Sequence, residues 1–155
     1  MSDGECRPNE DDTHGFERVY TMTDYYDGPR RGIASFRGRP HAYSCPFEHW
    51  KDGYADLYEL RAIDEDTLRL ALEDWEIWLR WEDAFYACAV DMSTHPALPA
   101  DRARHDEIDP IIEARLAALS DPPIRARGRF RPAPGHDNAG RGRWLEVAWT
   151  VVDDR

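Results

Sequence analysis

The sequence predicts an α+β fold: a curved antiparallel sheet of about five to six strands packed against one long and one shorter helix. Three observations lead there. Short runs rich in Val, Ile, Tyr and Phe, punctuated by Gly and Pro, occupy residues 18–63. Two helical patterns follow, over residues 64–90 and 100–119. Two alternating runs, 124–131 and 143–152, close the chain and should join the first sheet.

Residues 1–15 carry five acids and little apolar content, which predicts a mobile acidic tail. Residues 16–155 then form one α+β domain, a normal size for 155 residues. Residues 18–26, with Val19, Tyr20, Met22, Tyr25 and Tyr26, have strand composition. Asp27-Gly28-Pro29 is a turn signal, and 33–36 is a short strand. Arg37-Gly38-Arg39-Pro40 turns the chain into a third strand at 41–45, which Pro46 ends. Residues 54–63 make a fourth strand.

Asp64-Glu65-Asp66-Thr67 opens the first helix with an N-cap and acids that complement the helix dipole. At about 100° per residue, Leu68, Leu72, Trp75, Leu79 and Tyr86 share one face, widened by Ala71, Trp78 and Phe85. This reads as a core stripe. Leu70, Ile77, Trp81, Ala84 and Cys88 form a second stripe nearly opposite. The second helix holds Pro110, which predicts a break near Asp109.

Composition narrows the function classes. The formal net charge is −11, which argues against nucleic acid and anionic lipid as partners. Among 20 basic residues only Lys51 is lysine, the codon signature of a GC-rich bacterial genome. The chain starts without the basic and apolar segments of a signal peptide, and no run approaches the ~18 apolar residues of a membrane span. Cys6, Cys45 and Cys88 match no zinc or redox spacing. A reducing cytoplasm is the expected compartment, with no cofactor and no metal.

Three functional readings follow. The first is a binding or adaptor protein without chemistry of its own, or a homodimer. It would act through the second stripe, with Leu70, Ile77 and Trp81 as the contact residues. Thirteen acids against four bases in residues 48–91 would attract a basic partner. The second is an anion-binding domain for a small molecule or nucleotide. Arg125, Arg127, Arg129 and Arg131 alternate with Ile124, Ala126, Gly128 and Phe130, so four guanidiniums share one strand face. Tyr25, Tyr26 or Trp149 would stack on a base. The third is a small enzyme using His41 with Asp24, Asp27 or Glu82, where Glu82 on the apolar face is either paired with an arginine or a carboxylate of raised pKa suited to general acid or base work. A Cys45–His41 nucleophile pair is a weaker form of that reading. His41, Cys45 and His49 have a spacing of four, but Pro40 and Pro46 argue against the helix that would bring them onto one metal.

Overall fold

The computed structural model describes residues 15–25, 28–48, 53–54, 57–135 and 144–152. The expected acidic tail therefore lies outside the described residues, apart from Gly15. The chain divides into two compact units, Met1–Ala62 with Asp121–Arg155, and Ile63–Ser120.

The first unit corrects the expected open sheet: its strands close into a six-stranded antiparallel barrel. The strands are β1 (Phe16–Tyr25), β2 (Pro29–Phe36), β3 (Arg39–Ser44), β6 (Leu57–Ala62), β7 (Ile124–Pro132) and β8 (Leu145–Val151), and they pair in that order. The pairing that closes the barrel is Phe16↔Ala148, Glu17↔Val147 and Arg18↔Glu146, between the first strand and the last. Two short strands, β4 (Phe47–Glu48) and β5 (Gly53–Tyr54), pair separately between β3 and β6. Alternation in a sequence shows which residues face inward, but it does not show whether the sheet's edges meet. Closure depends on strand stagger and bending, and β1 supplies bending through three register shifts against β2.

A sheet closed on itself buries its apolar face in its own interior. Ala34, Phe36, Tyr43, Cys45, Tyr58, Leu60, Ala126 and Val147 form that core, with Val19, Ile124, Phe130 and Trp149 partly buried against it. Tyr43, Tyr58, Phe130 and Trp149 come from four successive strands, and all six pairs of their rings have centroids 5.5–6.1 Å apart. Their polar ends are satisfied by β1 and β2. Tyr43 donates to the Thr21 carbonyl at 3.0 Å, Tyr58 to that of Pro29 at 2.7 Å, and Trp149 Nε1 to that of Ser35 at 3.1 Å. Buried aromatics with paired polar groups stabilise by area and by geometry together. Burial pushes the Tyr43 phenol well above its ordinary pKa, with Tyr58 adding to the effect.

The β2–β3 hairpin turns through Arg37 (φ 54°) and Gly38 (φ 80°), both left-handed, as a two-residue hairpin loop prefers. Glu17 holds this turn from β1. Its carboxylate accepts from Ser35 Oγ at 2.6 Å and from the backbone N–H groups of Arg37 and Gly38 at 2.8 and 3.0 Å.

The second unit is a helical hairpin between β6 and β7. Helix α1 (Glu65–Tyr86) is capped by Asp64, whose carboxylate accepts from the Thr67 N–H at 2.8 Å. A 3-10 turn at Met92–Thr94 leads to α2 (Pro99–Ala117), which starts with Pro at its first turn. The break expected at Pro110 does not occur, and α2 runs through it. Pro110 and Asp106, whose carbonyl loses its helical donor, are both exposed, so water can satisfy that carbonyl. The two helices are cross-linked by Arg80–Asp101, Glu73–Arg104, Asp74–His105 and Asp66–Arg115.

Burial on α1 is divided between the two stripes: Leu68 and Ala71 of the expected core stripe are buried, and so are three residues of the second. Leu70, Ile77 and Trp81 are buried, with Ile77 at 1% exposure. Trp81 also donates to Thr94 Oγ1 at 2.9 Å and meets the His95 ring edge-on at 4.7 Å. Leu72, Trp75 and Leu79 of the expected core stripe are half-buried, and Tyr86 is exposed. No helix among the described residues is long and apolar enough to cross a membrane.

Candidate functional site

Strand β7 alternates as its sequence predicts. Ala126 is fully buried and Ile124, Gly128 and Phe130 are half-buried, while Arg125, Arg127 and Arg129 are exposed on the outer face. Arg131 is half-buried there. The hydrogen-bond register sets the electrostatics of this row. Arg131 lies across from Glu146 and donates Nε to its Oε1 at 2.7 Å. At the other end Arg125 lies across from Glu59 on β6. In the middle, Arg127 lies between Leu57 and Thr150, and Arg129 faces Ala148.

Among the described residues, carboxylates therefore stand opposite the ends of the row and uncharged residues opposite its centre. Arg127 and Arg129 are two residues apart, about 7 Å along a strand. Two guanidiniums at that spacing repel each other and favour an anion held between them.

Phe16 completes this surface and was missed in the sequence. Its ring lies under the Arg131 guanidinium at 3.6 Å and near that of Arg129 at 5.0 Å. Such contacts orient a guanidinium without neutralising it. Residue 16 sits at the edge of the acidic tail in sequence, and only the β1–β8 pairing brings it beside β7.

The other candidate residues do not gather here. Tyr25 is exposed at the far end of β1, nine residues beyond Phe16 and about 30 Å of strand away. Tyr26 and Asp27 lie outside the described residues, as does His49.

His41 is buried, with Nδ1 at 2.9 Å from the Arg39 carbonyl and its ring 5.1 Å from Phe36. Asp24 does not reach it. His41 pairs with Ala34 of β2, whereas Asp24 pairs with Arg31, three residues along, from a strand two away from β3. That places the Cα atoms about 14 Å apart. Cys45 is four residues from His41 along extended chain, about 13 Å, so those two form no nucleophile pair. Its sulfur lies 3.5 Å from Arg30 Nη1. Glu82 is buried and engaged on α1, in the helical unit rather than on the barrel.

The helical unit holds a second cluster, Asp74, His105 and Asp109. Asp74 projects from α1, and His105 and Asp109 occupy positions i and i+4 on one face of α2. One donor atom from each lies within 4.8 Å of the others, and all three residues are half-buried. His105 Nδ1 is 2.7 Å from Asp74 Oδ1. Burial pushes the Asp74 carboxyl above its usual range. The bond to His105 opposes this, and the charges of Asp109 and Glu73 reinforce it.

The fold and its surface define a closed antiparallel barrel with a helical hairpin inserted between two paired strands and an arginine row on its outer wall. No protein-family model matches the chain, and no curated protein or solved structure matches it.

Proposed function

We propose that this chain is an anion-binding module that takes a phosphorylated small molecule across Arg127 and Arg129 on the barrel wall. One observation carries the reading: the exposed centre of the arginine row faces Leu57, Thr150 and Ala148, while Glu59 and Glu146 stand opposite its ends. In a chain of net charge −11 this is a local reversal of sign on a rigid element. Arginine forks match phosphate oxygens bidentately, and Phe16 pre-orients Arg129. The free thiols of Cys45 and Cys88 suit a reducing cytoplasm as the place of action. The apolar-acidic surface of α1 supports a protein partner less well, because Leu70, Ile77 and Trp81 are buried within the chain.

The test is isothermal titration of the full chain with tripolyphosphate and with ATP at two salt concentrations. The proposal expects saturable binding that weakens with salt and falls at least about tenfold in Arg127→Ala/Arg129→Ala. Absent binding, or equal affinity in the double variant, overturns it.

A further inference from the structure

We infer that the helical hairpin carries a site for a first-row divalent cation, held by Asp74, His105 and Asp109. This inference concerns a different unit from the arginine row and does not depend on it.

The other cross-links between α1 and α2 pair guanidinium with carboxylate: Arg80 with Asp101, Arg104 with Glu73, and Arg115 with Asp66. At His105 the balance differs. One imidazole meets two carboxylates, and Asp109 has no cation partner among the described residues. Neighbouring Glu73 is already taken, with both carboxylate oxygens accepting from Arg104 at 2.6 and 2.8 Å. Arg104 is shared in turn with Glu107 at 2.8 Å. A half-buried excess of negative charge is what a cation relieves.

Geometry supports the same assignment. His105 and Asp109 are one helical turn apart on α2, and Asp74 approaches from α1, so the donors converge from two rigid elements. Bonds of about 2.0–2.2 Å place neighbouring donors about 3–4 Å apart. The three donors already lie within 4.8 Å of one another. The 2.7 Å contact between Asp74 and His105 has to open by about half an ångström, and a separation at the 4.8 Å bound has to close by about an ångström. The donor set, one imidazole nitrogen and carboxylate oxygens, favours zinc, manganese, iron or cobalt over calcium or magnesium. Three protein ligands at half-buried positions leave room in the coordination shell for water or a small anion.

The experiment is a Co²⁺ titration of the full chain, followed by visible absorption and equilibrium dialysis. One Co²⁺ per chain is expected, with a d–d spectrum lacking a thiolate charge-transfer band. Zn²⁺ should displace it. Asp109→Asn and His105→Gln should each lower the affinity by more than about tenfold, with unchanged far-UV circular dichroism. If His105→Gln fails to fold, the near-isosteric Asp109→Asn carries the test. Cys88→Ser and His95→Gln, which alter exposed donors elsewhere in the same unit, should bind as the unaltered chain does. The inference is overturned by absent saturable binding, by equal affinity in both site variants, or by loss of binding in Cys88→Ser or His95→Gln.

Discussion

Gly128 of β7 stands directly across from Trp149 of β8, and a Cβ at Gly128 would lie 2.6 Å from the indole Cζ3. The indole cannot yield easily. Its N–H is bonded to the Ser35 carbonyl, and its ring meets Tyr43, Tyr58 and Phe130. Gly128→Ala is therefore expected to destabilise the barrel by about 1–3 kcal/mol. Urea denaturation measures this, and the penalty should shrink in a Trp149→Leu background, where the ring is gone. An equal penalty in both backgrounds would mean that the indole is not the obstacle.

Gly32 should be less tolerant still. A Cβ there would collide with the Thr21 carbonyl oxygen and lie 2.7 Å from the Tyr43 hydroxyl. The first is backbone of the neighbouring strand, and it accepts the Tyr43 hydrogen bond. Gly32→Ala must separate β1 from β2 or break that bond, so it should cost more than Gly128→Ala under the same denaturation assay.

Glu17 ties β1 to the β2–β3 turn, and its contribution should vary with pH. Burial raises its carboxyl pKa, but the bonds from Ser35 Oγ and the Gly38 and Arg37 N–H groups, with the charge of His41, outweigh burial and hold it below the ordinary value. The stabilisation is present above the unfolded pKa of about 4.3 and is lost as pH falls through the lower folded value. Glu17→Gln should cost about 1–2 kcal/mol near neutrality. The gap between the two proteins in thermal denaturation should narrow below about pH 4. A gap that stays constant down to pH 2 would contradict the assignment.

Trp81 separates core from interface. It is buried, bonded to Thr94 and set against His95 and Phe85. Trp81→Glu places a charge in that position and should unfold the helical hairpin, at a cost above about 3 kcal/mol. Loss of helical circular dichroism is the expected reading. A stable, fully helical variant would show that Trp81 is a surface residue after all.

The arginines of β7 should differ among themselves. Arg131 bonds Glu146 and covers Phe16, so Arg131→Ala should cost about 0.5–1 kcal/mol. Arg127 faces uncharged neighbours, so Arg127→Ala should leave stability within about 0.5 kcal/mol. Added tripolyphosphate should raise the melting temperature of the unaltered chain more than that of Arg127→Ala/Arg129→Ala.

Much of the local structure was legible because it depends on neighbours in sequence. The period-two pattern of residues 124–131 placed Arg125, Arg127 and Arg129 outward and Ala126 inward. Asp64 announced the start of α1 three residues before the N–H it caps, and Arg37-Gly38 announced the hairpin. The His105–Asp109 spacing was equally available as an i, i+4 pair, but without Asp74 it is only one face of an acidic helix. The stripes of α1 were visible as stripes, and their relative burial was not. A helical wheel orders residues around an axis and does not say from which side another element will approach.

The sequence by itself determined the alternation of the strands, the caps and turns, the two helices, and the outward arginine row. These follow from backbone sterics and from side-chain periods within about ten residues. Tertiary structure alone decided that the sheet closes, because Phe16 and Ala148 become partners across 132 positions. It decided that Trp149 reaches Ser35, that Phe16 underlies Arg131, and that Asp74 meets His105. Each of these joins residues whose proximity depends on strand stagger, bulges and helix packing, and those add up over the whole chain and are written at no single site.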